Sequence, residues 1–141
     1  REAIIKIDNN KLSQYIKSSG YYNQKTRKLK EFAKYKGETT RENLLKIWGV
    51  GEETADSILL YAYNKPYFVI DAYTKRIFQR LGYKEKTYQE LQKLFTKNLP
   101  KDTKIYKEYH ALLVELGKNY CKNKPECNKC VIRKICTYQV L

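Results

Sequence analysis

The chain has 141 residues, with 29 Lys and Arg against 15 Asp and Glu, for a formal charge of +14. That length fits one ordinary domain or two small lobes. The charge suits a polyanion far better than a small neutral or acidic ligand, because each neutralised phosphate releases counterions; no stretch is long or apolar enough to span a bilayer, and the opening REAIIKIDNNK carries no secretory signal.

A basic soluble protein without a nucleic-acid partner fits the composition equally well, so motifs must decide. Tyrosine is abundant, at 14 residues; such rings supply core or stack on bases beside a basic groove. Methionine is absent, even at position 1, so the reading expects a front end that precedes residue 1.

The periodicity is helical almost throughout. Leu12, Tyr15 and Ile16 recur at helix spacing and stop at Ser18-Ser19-Gly20. Lys25 to Tyr35 predicts a second helix, with Leu29, Phe32 and Ala33 on one face. Thr39 and Glu42 form a Thr-x-x-Glu capping box, which starts a helix near Thr40 carrying Leu44, Leu45, Ile47 and Trp48. Gly49 and Gly51 break it, and Thr54 to Tyr63 predicts the next helix before the turn at Asn64-Lys65-Pro66. Tyr67 to Ile70 is apolar but has no partner run, so it reads as a buried connector. Asp71 opens a helix to Leu81, Thr87-x-x-Glu90 boxes another through Phe95, and Thr103 to Tyr120 is the longest, with Tyr106, Tyr109, Leu112, Leu113 and Leu116 apolar. The class is all-α. The expected division is a lobe over residues 1–100, containing a hairpin at 44–63, and a C-terminal part over 101–141.

Three features carry chemistry. In LLKIWGVGEETADSILL, apolar residues on either side of Gly49-Val50-Gly51 lock two helices as a hairpin. Glycines allow close backbone approach to a phosphate, and the N–H groups opening the next helix face the anion. Lys46, Gly49, Val50, Gly51 and Thr54 are the candidate DNA contacts. The second feature is Asp71, placed to cap its helix. A cap keeps the carboxylate ionised, and a fixed carboxylate can stabilise a sugar oxocarbenium ion or orient water on it. The third is Cys121, Cys127, Cys130 and Cys136, spaced C-x5-C-x2-C-x5-C. With no secretory signal, they suit one compact metal centre better than disulfides. An iron–sulfur cubane tolerates such loose spacing, and four-thiolate zinc is the rival. Lys118, Lys122, Lys124, Lys129, Arg133 and Lys134 surround this loop, which reads either as a solvated basic tail or as a second phosphate-contacting surface.

Together YIKSSGYYNQKTRKL, LLKIWGVGEETADSILLYAY, VIDAYTKRIFQRLG and HALLVELGKNYC resemble the endonuclease III superfamily of helix-hairpin-helix DNA glycosylases. The resemblance runs from about Leu12 to Cys136. It implies an all-α fold of two lobes with damaged duplex DNA across the cleft, Asp71 as catalytic aspartate, and a 4Fe–4S cluster on the four cysteines. It also implies a monovalent cation held by hairpin carbonyls around Trp48 to Gly51. The implied protein is a monomer acting in the cytoplasm at the prokaryotic nucleoid, away from membranes. Family members have helices ahead of the stretch that begins here, which help build the base pocket, and this chain is expected to lack them.

The departures narrow the expectation. Glu53 stands where bifunctional members carry the Schiff-base lysine, so the AP-lyase step should be lost or weak. Trp48 replaces a proline, and Ala72-Tyr73 replace Thr-His. The first cysteine spacing is one residue short. Glu53, SGYYNQK and TRENLL are more similar to the monofunctional 3-methyladenine (alkylpurine) branch. Cationic alkylated bases leave readily, so one aspartate and aromatic walls can suffice. Tyr21, Tyr22 and Tyr73 are candidate pocket walls, with core packing the plainer role for each; His110, the only histidine, reads as a helix residue near the lobe interface rather than a base. Two further readings stand beside the alkylpurine glycosylase: a bifunctional oxidised-pyrimidine enzyme, and a non-catalytic DNA-binding fragment.

Overall fold

The computed structural model describes residues 1–138. Among the described residues every regular element is helical, and no helix is long and apolar enough to cross a membrane. The chain forms two compact units, Arg1–Ala55 and Asp56–Leu141.

The first unit opens with α1, Glu2–Lys6. At five residues it is too short to show a periodic stripe, so the sequence predicts no helix there. Next comes α2, Asn9–Tyr15, capped by Asp8, whose carboxylate accepts from the N–H groups of Asn10 and Lys11. After a 3-10 turn the chain swings at Gly20 into α3, Tyr22–Lys34, which begins three residues before the predicted Lys25 and buries Thr26 and Ala33. The short α4, Arg41–Leu45, is capped by Thr40, whose hydroxyl accepts from Asn43 N–H at 3.2 Å. The predicted box on Thr39 is thus off by one: adjacent threonines offer two cap registers, and the one adopted puts Asn43, not Glu42, at the third helical position.

The next helix is interrupted. Its first part, α5, is Glu52–Ser57, and Ile58–Ala62 continues as a π-helix. The sequence predicts only an unbroken helix, since a π turn leaves no mark in hydrophobic period.

The second unit is built on the connector. Phe68, Val69 and Ile70 are fully buried and pair with no strand among the described residues. Three helices surround it: α6, Ala72–Arg80; α7, Tyr88–Asn98, with the Thr87–Glu90 box formed as predicted; and α8, Thr103–Asn119, capped by Asp102. Phe68 stacks on Phe95 with ring centres 4.0 Å apart and meets Tyr106 edge-on at 5.2 Å. Each buried ring of this size contributes about 1.5–3 kcal/mol relative to exposure. Two carboxylates are buried in this unit, Asp56 and Asp71. Asp56 is fully buried and accepts from Tyr88 Oη at 2.8 Å and Gln92 Nε2 at 2.7 Å. Gln92 Nε2 also donates to the Phe68 carbonyl at 2.7 Å, which ties the connector to α7.

The predicted boundary near residue 100 is therefore not where the chain divides. Helices α6 and α8 pack along each other, so the C-terminal segment completes the unit that contains Asp71. Tyr73 of α6 lies so close to α8 that a Cβ on Gly117 would fall 2.4 Å from its ring. A glycine is required there by close approach. Beyond α8 the chain makes two 3-10 turns, Cys127–Lys129 and Arg133–Ile135.

Candidate active site

The hairpin lies in the first unit up to Ala55. Val50 N–H donates to the Ile47 carbonyl at 3.0 Å, and Ala55 N–H to the Gly51 carbonyl at 2.9 Å. Arg41 of α4 and Glu52 of α5 pair at 3.2 Å across the turn. The two glycines differ in kind. Gly49 has φ +84°, and a Cβ there would also press on the Lys28 side chain. A Cβ on Gly51 would meet nothing within 4 Å. Packing within the chain requires the first glycine but not the second. Lys46, Gly51 and Thr54 are exposed, while Val50 is buried and presents only backbone. Trp48 is 48% exposed, with the Arg27 guanidinium stacked 3.8 Å from its ring centre.

Asp71 lies in the second unit. It is the N-cap of α6 and 9% exposed. Its Oδ1 accepts from Thr74 N–H at 2.7 Å and from Thr74 Oγ1 at 2.8 Å. Its Oδ2 faces His110 Nε2 of α8 at 3.7 Å, beyond hydrogen-bond distance. Burial on its own raises the carboxyl pKa; His110 and the two Thr74 donors outweigh it, and the net pKa lies below the ordinary Asp value. The result is a largely desolvated, ionised carboxylate with one oxygen tied and the other without a hydrogen bond from the described residues.

The cysteines surround one space. All four line a cavity of about 320 Å³, with Arg80, Tyr120 and Tyr138 in the same wall. Helix α6 fastens this loop. Arg76 Nε donates to the Cys121 carbonyl at 2.7 Å, and Arg80 Nη1 to the Lys122 carbonyl at 2.6 Å and to Cys121 Sγ at 3.2 Å.

Residues 1–101 match the family described as HhH-GPD superfamily base excision DNA repair protein. The chain belongs to that superfamily. Among relatives of the HhH-GPD chain, a Methanocaldococcus jannaschii protein provisionally named a DNA repair glycosylase is 45% identical over 94% of this chain and 69% of its own length. Endonuclease III of Thermotoga maritima is 34% identical over 90% of this chain and 63% of its own. A solved endonuclease III–DNA complex superposes with a TM-score of 0.80 at 26% identity, covering 97% of this chain and 68% of that one. The H. pylori 3-methyladenine DNA glycosylase bound to 1,N6-ethenoadenine gives a TM-score of 0.70 at 29% identity, over 83% of this chain and 66% of that one. This HhH-GPD chain thus spans about two thirds of the length of the relatives it matches.

The structure brings Asp71 together with Thr74, His110 and Tyr61, of which only Asp71 was picked from sequence. His110 had a legible signal: it shares a helix face with Tyr106, Leu113 and Gly117, all buried, so it is a polar residue on an apolar stripe. Of the proposed pocket tyrosines, Tyr73 packs on Gly117 and Arg76, a core role, and Tyr21 is highly exposed in the first unit.

Proposed function

We propose that this chain is a base-excision DNA glycosylase that hydrolyses the N-glycosidic bond of a flipped, alkylated purine, with Asp71 as its catalytic carboxylate. The observation that carries the reading is the state of Asp71. Its Oδ1 is held by Thr74, its Oδ2 is left without a protein hydrogen bond, and its surroundings keep it ionised. Such a carboxylate stabilises the cationic sugar that develops as the base departs, or orients the attacking water. Family membership supports the DNA substrate, and the excess of basic residues supports phosphate contact. The turn at Gly49 to Gly51, with exposed Lys46 and Thr54 on either side, is the proposed backbone grip, with its carbonyls as the proposed site for a monovalent cation.

The cysteine loop fits an iron–sulfur cluster. Four thiolates around one zinc ion, each bonded at about 2.3 Å, would place the sulfurs about 3.8 Å apart. A cubane holds its four thiolates further apart than one zinc ion does, and all four cysteines line one cavity of about 320 Å³. We assign Cys121, Cys127, Cys130 and Cys136 as ligands of a 4Fe–4S cluster, which would supply structural cross-linking of the loop. Arg80, donating to Cys121 Sγ, offsets thiolate charge there.

Glu53 in place of a lysine supports a monofunctional enzyme. The endonuclease III relatives, one of them solved as a trapped covalent intermediate with DNA, favour a second reading, an oxidised-pyrimidine glycosylase with lyase activity. Base release from dimethyl-sulfate-treated duplex DNA tests the first. Asp71→Asn, which keeps the cap, should lower release about 10²- to 10³-fold. Unchanged release would remove Asp71 from the chemistry. Borohydride should trap no covalent adduct on alkylated or oxidised DNA; an adduct abolished by a single Lys substitution would establish the second reading.

A further inference from the structure

Two side chains beside the carboxylate have no role at the sugar in the hydrolysis described above. Tyr61 Oη lies 2.6 Å from His110 Nδ1, and His110 Nε2 lies 3.7 Å from Asp71 Oδ2. The three groups come from three elements: the π segment, α8 and the cap of α6. A π turn is rare and is frequently found at functional sites. Here the wider turn of Ile58–Ala62 sets the direction in which Tyr61 leaves the helix.

The chemistry assigns the protons. A phenol donates at neutral pH, and both burial and the Asp71 charge push the Tyr61 hydroxyl further toward its protonated form. The short contact is then Oη–H donating to Nδ1. In a neutral imidazole whose Nδ1 accepts, the ring proton sits on Nε2. That nitrogen is the one facing the carboxylate, and it is fully shielded from solvent without a hydrogen-bond partner among the described residues. On the other side, Oδ1 of Asp71 is already taken by Thr74, so Nε2–H faces the oxygen left for chemistry.

We propose that Tyr61 and His110 are a positioning pair for Asp71: Tyr61 fixes the tautomer of His110, and His110 Nε2–H steadies the reactive Oδ2 edge of the carboxylate. The inference rests on Asp71 being the catalytic group. His110 is a positioning residue, since it acts through Asp71 and not on the sugar. The 3.7 Å separation is loose, as contacts of this kind commonly are before substrate binds.

The chain has one histidine, so NMR of the imidazole nitrogens reads a single ring. In the full chain His110 should be the Nε2–H tautomer, Tyr61→Phe should redistribute that proton, and Asp71→Asn should move the Nε2 resonance. In single-turnover release from methylated duplex DNA, His110→Gln should slow the step about 100-fold and Tyr61→Phe about 10-fold, with DNA affinity held within about twofold. An Nδ1–H tautomer in the wild-type chain, or an Nε2 resonance indifferent to Asp71→Asn, overturns the pair without any variant enzyme being assayed. Wild-type rates in His110→Gln, with Asp71→Asn inactive, overturn the pair and leave the glycosylase reading standing. Wild-type rates in Asp71→Asn defeat the glycosylase reading itself, and the pair with it.

Discussion

The hairpin and the Asp71 site are built in opposite ways. The hairpin up to Ala55 is contiguous: α4, its Thr40 cap, Gly49-Val50-Gly51 and the start of α5 follow one another within the 16 residues from Thr40 to Ala55. Its surface is mostly backbone and exposed side chains. The Asp71 site is assembled from Tyr61, Asp71 to Thr74 and His110, up to 49 residues apart, and the packing of α8 against both α6 and the π segment brings them together. A grip for a repeating backbone can be made locally, because it needs bare N–H groups and a turn. An ionised, desolvated carboxylate needs donors from several directions, and these come only from a packed core.

The contrast makes graded predictions. The largest effect belongs to the core beneath Asp71. Phe68→Ala removes a fully buried ring stacked on Phe95, and should cost about 3–5 kcal/mol in denaturant unfolding of the second unit. A cost below about 1 kcal/mol would mean that the connector does not hold the site. Next comes Gly49→Ala, which forces a side chain into φ +84° and against Lys28. It should cost about 1–3 kcal/mol, read as a lower Tm.

Thr74→Val keeps the shape and deletes one of the two donors to Asp71 Oδ1. Above about pH 4 it should cost about 1 kcal/mol. Because the folded-state carboxyl lies below its unfolded value, the stabilisation is complete above the unfolded pKa and is lost as pH falls through the folded one. The difference between Thr74→Val and wild type should therefore shrink in acid. A gap that stays constant with pH would show that the hydroxyl acts by packing alone.

The smallest effect on stability belongs to Gly51→Ala. With open space around the added methyl, stability should stay within about 0.5 kcal/mol of wild type. Affinity for duplex DNA should fall nonetheless, and both wild-type and variant affinities should drop steeply as salt rises. Unchanged affinity would remove Gly51 from the grip.

Much of this was legible in one dimension. The helical period, the Thr87–Glu90 box and the Asp71 cap are short-range, so residues three or four apart settle them. What failed locally failed for local reasons: Thr39-Thr40 offered two caps of equal chemistry, α1 was too short to show a stripe, and the π turn changes the backbone without changing hydrophobic spacing. The site was half legible. Asp71 announces itself by following Phe68-Val69-Ile70 and preceding a helix. Thr74 could have been read as its cap partner three residues on. Tyr61 could not, because nothing near it in sequence says that an imidazole will stand 2.6 Å away.

By itself the sequence determined that the chain is helical, basic and equipped with a glycine turn, a capping aspartate and four clustered cysteines. Each of these follows from side chains acting over a few residues or from net charge. Only the tertiary structure decided that the last long helix belongs with Asp71, that Arg76 and Arg80 fasten the cysteine loop to the same helix, and that the one histidine faces the carboxylate. Those outcomes depend on how apolar surfaces from distant segments are buried together. That burial fixes which polar groups are left inside and which partners they find.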